Sequence, residues 1–586
     1  MTAMDLGSLP AGGVGVEPFR RPIRARVHDL LSLENVALGM AALVLIILVV
    51  YPVTWLCLGS LGYPRATTAT YLFSTFTQPQ YVEPLVNTLI LGFGVAVVSM
   101  IMGVPMAWAV SRTDMPGQKF FRIAPVIAFL TAPYLSALAY IMMLGPNAGL
   151  ISKVIMAITG LEKSPISIFG LPGTVFVIAC HTFPFTFFLT SSSLESMDAS
   201  LEESAQILGA GRAKTMLRVT LPLVMPAITS GALLGFVASI ALFGPQAFLG
   251  LPERIYFLPT MIFRLLSFYP PRFAEASAVG LGIVGITAIA LYIQRTVLEK
   301  KSYVVLSGKG TRPSRVKLGA WKWGLFGYSS LVILLAVVMP YCMIISAAFS
   351  RQWLDGPSLS NLTFDNFYYV LFQEDRVGRA IGNSFFLALG VATVTTLLGL
   401  LIAFIDLRTK ARGRRILDYL SIMPLGIPGI VLAVGLLQAW IRSPIAIYGT
   451  IWIIFIAYMT RYVPLAVRSA NTALRQVDPS LEEAARVAGG SWAQTMRRVT
   501  MPLVKPGLLV SWTLVFVPTL QEMSTSILLY TQGTEVISVM IYKLQEMGRF
   551  EAISALALIT LTFAMIALLT VRKMAGKSLE EMAGGG

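Results

Sequence analysis

Two stretches of this 586-residue chain combine acidic residues, glycines and prolines at matching intervals, which is the first sign of residues with a shared task. Glu203, Ala205, Gly209 and Pro222 recur as Glu483, Ala485, Gly489 and Pro502, each pair 280 residues apart. Between Asp198–Pro226 and Asp478–Pro506, 17 of 29 positions are identical without a gap. Apolar repetition carries little information in a hydrophobic chain, whereas polar residues and glycines repeating in register need a common structural duty. Ser200-Leu201-Glu202-Glu203 and Ser480-Leu481-Glu482-Glu483 read as capping boxes, in which Ser and Glu each satisfy a free backbone N–H at a helix start. Acidic residues there also suit the positive end of the helix dipole. The helix would run about two turns, roughly 12 Å, until Gly209 or Gly489 permits a left-handed ending. A second short helix carrying Arg218 or Arg498 is expected to break at Pro222 or Pro502, with the next apolar span starting at Pro226 or Pro506. The two short helices with their glycine hinge are expected to project from the cytoplasmic face.

A third feature is a single carboxylate, Glu522, inside the apolar run Gly507–Tyr530. An ionisable residue in such surroundings is costly and normally faces a cavity or a partner. Glu522 is therefore the candidate translocation-pathway residue, and a carboxyl satisfied between helices is the equal alternative. Its repeat counterpart is Leu242, followed by Gly244-Pro245-Gln246, and Gln246 is the second pathway candidate. Nothing else suggests catalysis: no nucleophile–base pair and no metal-ligand set stands out. The two histidines, His28 and His181, lie apart, and Cys57, Cys180 and Cys342 are widely separated in apolar segments. Gly576-Lys577-Ser578 resembles the end of a phosphate-binding loop, but Val571 stands where that loop requires glycine.

The elements that must carry these residues are membrane spans. The chain is 56% hydrophobic and 13% charged, with a mean hydropathy of +0.74, outside the soluble globular range. Apolar stretches of roughly 20 residues, enough to cross a bilayer core, recur along its length. They predict an all-α polytopic membrane protein of about 12 spans in two parallel pseudo-repeats of six, related by an axis along the membrane normal. The net charge of +16 comes from short Lys/Arg clusters between spans, the positive-inside signature and not that of a nucleic-acid binder. The expected division is a cytoplasmic arm (1–35), a first half (36–297), a cytoplasmic linker (298–322), a second half (323–573) and a cytoplasmic tail (574–586), with both termini inside.

Spans are expected near Leu85–Val110, Ile123–Leu144, Leu171–Ser192 and Ala227–Leu249 in the first half, and near Ala380–Ile405, Leu417–Trp440, Ile451–Ala466 and Gly507–Tyr530 in the second. One additional span opens each half and one more closes it. Asn87, Gly103 and Ala107 match Asn383, Gly399 and Ala403 at an interval of 296, while Ser164 and Gly170 match Ser443 and Gly449 at 279. The first half therefore holds about 17 extra residues, around Asn147–Glu162. Met261–Leu265 and Met540–Leu544 also repeat and are expected along the outer surface. Gly231 and Gly235 read as a packing surface.

The duplicated loop resembles the EAA motif of the membrane-spanning permeases of binding-protein-dependent ABC importers. Glu203-Ser204-Ala205, Gly209, Val219 and Leu221-Pro222 fit it, as do Glu483-Ala484-Ala485, Gly489, Val499 and Met501-Pro502; Ser204, the two valines and Met501 depart from it mildly. The resemblance covers Leu85 to Val571, and the fusion of two halves with Tyr303–Gly310 in the linker looks most like the ferric-iron-type permeases. It implies the type I importer permease fold, an inner-membrane location, and coupling loops that dock two copies of an ABC ATPase subunit. It further implies an extracytoplasmic substrate-binding protein, no cofactor in this chain, and ATP and Mg held by the partner subunits. The chain itself would not be an enzyme. Related permeases handle phosphonates, sugar phosphates, thiamine or polyamines, so the cargo stays open. A proton-coupled secondary transporter using Glu522 is the alternative from another class.

Overall fold

A computed structural model describes residues 33–64, 67–198, 200–300, 316–356, 358–409 and 411–575. The expected arm up to residue 32, the linker from 301 to 315 with Tyr303–Gly310, and the tail from residue 576 with Gly576-Lys577-Ser578 lie outside the described residues.

The described chain is a helical bundle with ten helices long and apolar enough to cross a membrane, or twelve if each of two sharply bent pairs counts as one span. In the first half these are Val36–Ser60, Pro79–Arg112, Leu171–Ser196, Met216–Ala241 and Phe273–Val297. Trp321–Ala348, Asp375–Arg408, Ile451–Arg475, Met496–Leu520 and Phe550–Val571 repeat them in the second. Within each half the second, fourth and fifth spans of the expected six pack on one another. Gly231 shows why small residues repeat there: a Cβ would lie 2.5 Å from Thr186 Cα.

The third span of each half is not a single straight helix: Gln118–Leu130 and Pro133–Leu144 meet at 95°, and Arg414–Gly426 and Gly429–Ile441 at 112°. The cause is local. Ala132 before Pro133 and Ile427 before Pro428 are extended, because the proline ring crowds the helical conformation of the residue before it. Other prolines are absorbed without a break. Pro222 and Pro502 do not end a helix: each chain continues helically from residue 212 to 241 and from 492 to 520. A π-helical turn, Met216–Thr220 or Met496–Thr500, immediately precedes each Leu/Met-Pro pair. The wider turn relieves the clash of a ring that would otherwise meet the carbonyl four residues earlier. The same device precedes Pro52 and Pro340.

The two halves are not separate blocks. The Val36–Ser60 span, first in the chain, packs on Gly429–Ile441, Asp375–Arg408, Arg414–Ile422 and Ile451–Arg475 of the second half as well as on Phe273–Lys300 of its own, while Trp321–Ala348 reaches back to helices of the first. Thr460 Oγ1 donates to Leu48 O at 3.0 Å and Tyr51 OH to Ala439 O at 3.0 Å. Tyr140 OH donates to Leu335 O at 2.7 Å on the other side. Packing at the first crossing is close: a Cβ on Gly435 would lie 2.6 Å from Pro52 O.

Two short helices, Leu258–Ser267 and Ile537–Glu546, follow the last turns before the closing spans. They are not surface elements as expected; Met261, Ile262, Met540 and Ile541 are buried. Their first N–H groups are held by repeated hydroxyls, Leu258 N donating to Thr88 Oγ1 at 2.9 Å and Ile537 N to Ser384 Oγ at 2.8 Å. Tyr542 then packs against Phe243, Phe248 and Phe263 at centroid distances of 6.1, 5.8 and 6.0 Å, joining the halves. The extra first-half residues form Leu150–Thr159, whose Lys153 Nζ donates to Leu354 O at 2.9 Å.

Candidate functional site: two anchored loops and a cavity between the halves

The short helices of the repeated loops are Ser200–Ile207 and Pro479–Val487. Their caps differ from the expected capping boxes. Asp198 Oδ1 accepts from Ser200 N, and Asp478 Oδ1 from Ser480 N, each at 2.9 Å. The aspartate two residues upstream is thus the cap, because it places a carboxylate on the free N–H groups at the helix start. That bond holds both aspartate carboxyls below their ordinary value. Gly209 and Gly489 end the helices at φ +83° and +84°, the left-handed region in which glycine carries no Cβ penalty.

Of the two adjacent glutamates, Glu203 and Glu483 are exposed, whereas Glu202 and Glu482 are buried. Thr220 Oγ1 donates to Glu202 Oε1 at 2.6 Å, and Thr500 Oγ1 to Glu482 Oε1 at 3.1 Å. Arg112 Nη1 lies 3.8 Å from Glu202 Oε2 and Arg408 Nε 3.3 Å from Glu482 Oε1. Each arginine ends a long span and also donates to backbone carbonyls, Arg112 to Met197 O at 3.0 Å and Arg408 to Val477 O at 2.6 Å. The inner glutamate therefore fastens the short helix to two spans and leaves the outer glutamate, with Ile207 and Leu208 or Val487, facing away from the protein. In the sequence it is the outer glutamate that stands out, by its fit to the EAA motif, since both glutamates of each pair match across the repeat, and Arg112 reads only as a charge marker. The 296-residue interval from Arg112 to Arg408, shared with Asn87 and Asn383, is the signal that points to the arginines. Ala205 and Ala485 are half-buried on the same helices, and Pro222 and Pro502 follow the π turns.

Glu522 lies just beyond Leu520, where the Met496–Leu520 span ends, and not within a continuous helix. It is buried with four donors on its carboxylate. Arg461 Nε and Tyr462 OH reach Oε2 at 3.0 and 2.7 Å; Thr525 N and Oγ1 reach Oε1 at 3.1 and 3.2 Å. The carboxyl is thus satisfied between helices, and it also lines a cavity of about 310 Å³. First-half residues on that cavity include Thr131, Tyr134, His181 and Leu242, and second-half residues include Arg461, Tyr462, Gln521 and Ser524. Gln521 Nε2 donates across the halves to Leu130 O at 3.2 Å. Gln246 is elsewhere: it is fully buried, donates through Nε2 to Ser239 O at 2.9 Å, and does not line the cavity. Arg461, Tyr462 and Tyr134 all fall inside expected spans, Ile451–Ala466 and Ile123–Leu144, and the signal that could have found the first is the one that singles out Glu522, a charge within an apolar run.

The family model of the binding-protein-dependent transport system inner membrane component matches residues 87–302 and again 395–580. The ferric transport system permease protein FbpB of Actinobacillus pleuropneumoniae is 27% identical over 507 residues, covering 84% of this chain and 71% of its own length. The Fe(3+)-transport system permease protein FbpB 2 of Haemophilus influenzae is 26% identical over 507 residues, 85% of this chain and 91% of its own. Among solved structures, a bacterial ABC transporter that imports the acidic polysaccharide alginate shares 21% identity over 43% of this chain and 95% of that one, with a TM-score of 0.35. With two matched segments that together span most of its length, this multi-pass chain belongs to the family of binding-protein-dependent transport system inner membrane components.

Proposed function

We propose that this chain supplies both permease halves of an ABC importer for ferric iron, driven by two ATPase subunits that dock on its two loops. The observation that carries the coupling role is the construction of those loops. Each is a two-turn helix closed by a left-handed glycine, fastened by a buried glutamate to an arginine and a threonine on two different spans. A lever so fastened transmits a push on its exposed face into the bundle. The exposed apolar residues Ile207, Leu208 and Val487 offer area to a partner. Support for ferric cargo comes from the two relatives named above, and the resemblance to phosphonate, sugar phosphate, thiamine and polyamine permeases marks the other cargoes to be tested.

In this reading a binding protein delivers cargo from outside, and both termini, with the loops, face the cytoplasm. ATP and Mg are held by the ATPase subunits, whose closure moves the halves apart on the outer side in an alternating-access cycle. The test is copurification with the ATPase, and ATP hydrolysis stimulated by loaded binding protein, for Glu203→Ala/Glu483→Ala and Gly209→Val/Gly489→Val. Loss of both is expected; unchanged values for both would remove the coupling role. Stimulation by binding protein loaded with phosphonate and not with ferric iron would reassign the cargo.

A further inference from the structure

We propose that the cavity between the halves is a site for a soluble oxyanion, bound by Arg461 and Tyr134, so that the metal crosses as an anion complex and not as a bare cation. The inference rests on the transport reading above and specifies the chemical form of its cargo. The cavity wall is largely apolar, and its polar groups come from both halves, Tyr134 and His181 from the first and Arg461, Gln521, Glu522 and Ser524 from the second. Glu522 is the one carboxylate among the described residues that line it, and its oxygens are already engaged by four donors. Arg461 directs Nε at that carboxylate, and 23% of its side chain remains exposed. A guanidinium carries five N–H donors in a fork matched to carboxylate and phosphate.

Tyr134 comes from the opposite half, is 3% exposed, and its hydroxyl has no hydrogen-bond partner among the described residues. A buried hydroxyl left without a partner is costly, and a ligand oxygen in the cavity would satisfy it. The two halves differ here in a way that makes room for the arginine. Pro133 and Pro428 open the second limbs of the bent pairs, and the next residue is Tyr134 in one and Gly429 in the other. A Cβ on Gly429 would lie 2.7 Å from Arg461 Nη1. A bare trivalent cation entering this space would meet a guanidinium and no unengaged carboxylate; a citrate or phosphate complex presents oxygens to the available N–H and O–H groups.

The experiment is calorimetric titration of the full chain, in nanodiscs of phosphatidylcholine, with inorganic phosphate, citrate and ferric citrate. Saturable binding is expected, weakened at least tenfold in Arg461→Gln and several-fold in Tyr134→Phe. Glu522→Gln should tighten binding, because it frees the guanidinium from its partner. If Arg461→Gln leaves a folding defect, the charge-balanced Arg461→Gln/Glu522→Gln pair tests the same loss, and binding equal to wild type in that pair would overturn the proposal. So would absence of binding by the wild type, or Glu522→Gln weakening it as a cation site requires. A lipid headgroup is the competing source of the same chemistry. If an excess of phosphatidylglycerol abolishes citrate and phosphate binding, the occupant is lipid and the soluble-oxyanion proposal fails. None of these titrations depends on the ATPase, so their failure is distinct from loss of the coupling role.

Discussion

Arg461 Nε lies 3.0 Å from Glu522 Oε2 on the wall of the cavity between the halves, at positions where the first half carries His181 and Leu242. Both substitutions fall at the 280-residue interval that relates the two loops. The repeat thus keeps its coupling machinery symmetric and makes its interior asymmetric.

Removing one partner of this pair leaves a poorly solvated charge. Arg461→Gln or Glu522→Gln should lower stability by an amount at or below the bottom of the ~3–5 kcal/mol range for broken buried pairs, because Arg461 retains 23% exposure. The double variant should recover much of the loss. Thermal unfolding in detergent of the three variants checks this; additive losses would show that the pair is not coupled.

The inner glutamates predict an uncoupled phenotype distinct from that of the outer ones. Thr220→Val with Thr500→Val removes a hydroxyl from each buried carboxylate, and hydrogen bonds to charged groups are worth about 1.5–3 kcal/mol each. The ATPase should still copurify, since the exposed face is intact, while stimulation of hydrolysis by loaded binding protein falls. Wild-type stimulation would show that the fastening is dispensable.

At Gly209 and Gly489 the backbone is left-handed and the surrounding space is open, with nothing within 4 Å of the point a Cβ would occupy. Substitution therefore costs backbone strain alone, about 1 kcal/mol for Ala. Asn, which tolerates this conformation, should be nearly neutral. ATPase affinity measured across Gly, Asn, Ala and Val should fall in that order.

The cap aspartates give the loops an acid limit. Asp198 and Asp478 have carboxyls held below their ordinary 3.8 by the Ser200 and Ser480 N–H groups. Their contribution is present above that ordinary value and is lost as pH falls through the lowered one. Asp→Asn at both sites should keep the cap and remove this pH dependence. Hydrogen exchange of the two short helices between pH 3 and pH 6, chosen to bracket roughly the carboxylate range, measures it.

The exchanged first spans predict mutual dependence of the halves. Gly435→Val forces a side chain into Pro52 O, and should weaken the seat of the Val36–Ser60 span on the second half. Chains divided within residues 301–315 and coexpressed should copurify, and Gly435→Val should reduce their recovery. Independent recovery of either half in monodisperse form would contradict the exchange.

By itself the sequence determined the membrane class, the twofold repeat and the two loops, because span length, charge placement and glycine hinges are local properties. It located Glu522 for the same reason, as a charge that an apolar run does not tolerate without a partner. Which prolines bend their spans was not legible in the sequence: Pro222 and Pro502 sit behind π turns within continuous helices, while the residues before Pro133 and Pro428 are extended and the helices there meet at 95° and 112°. Which glutamate of each pair turns inward depended on Arg112 and Arg408, about 90 and 74 residues away in the chain. The tertiary structure alone decided that each opening span crosses to the other half, and that Tyr134, Arg461 and Glu522 meet in one cavity. Those are contacts between helices far apart in sequence, and helix packing in a membrane is set by shape and polar pairing across the interface, which apolar composition does not encode.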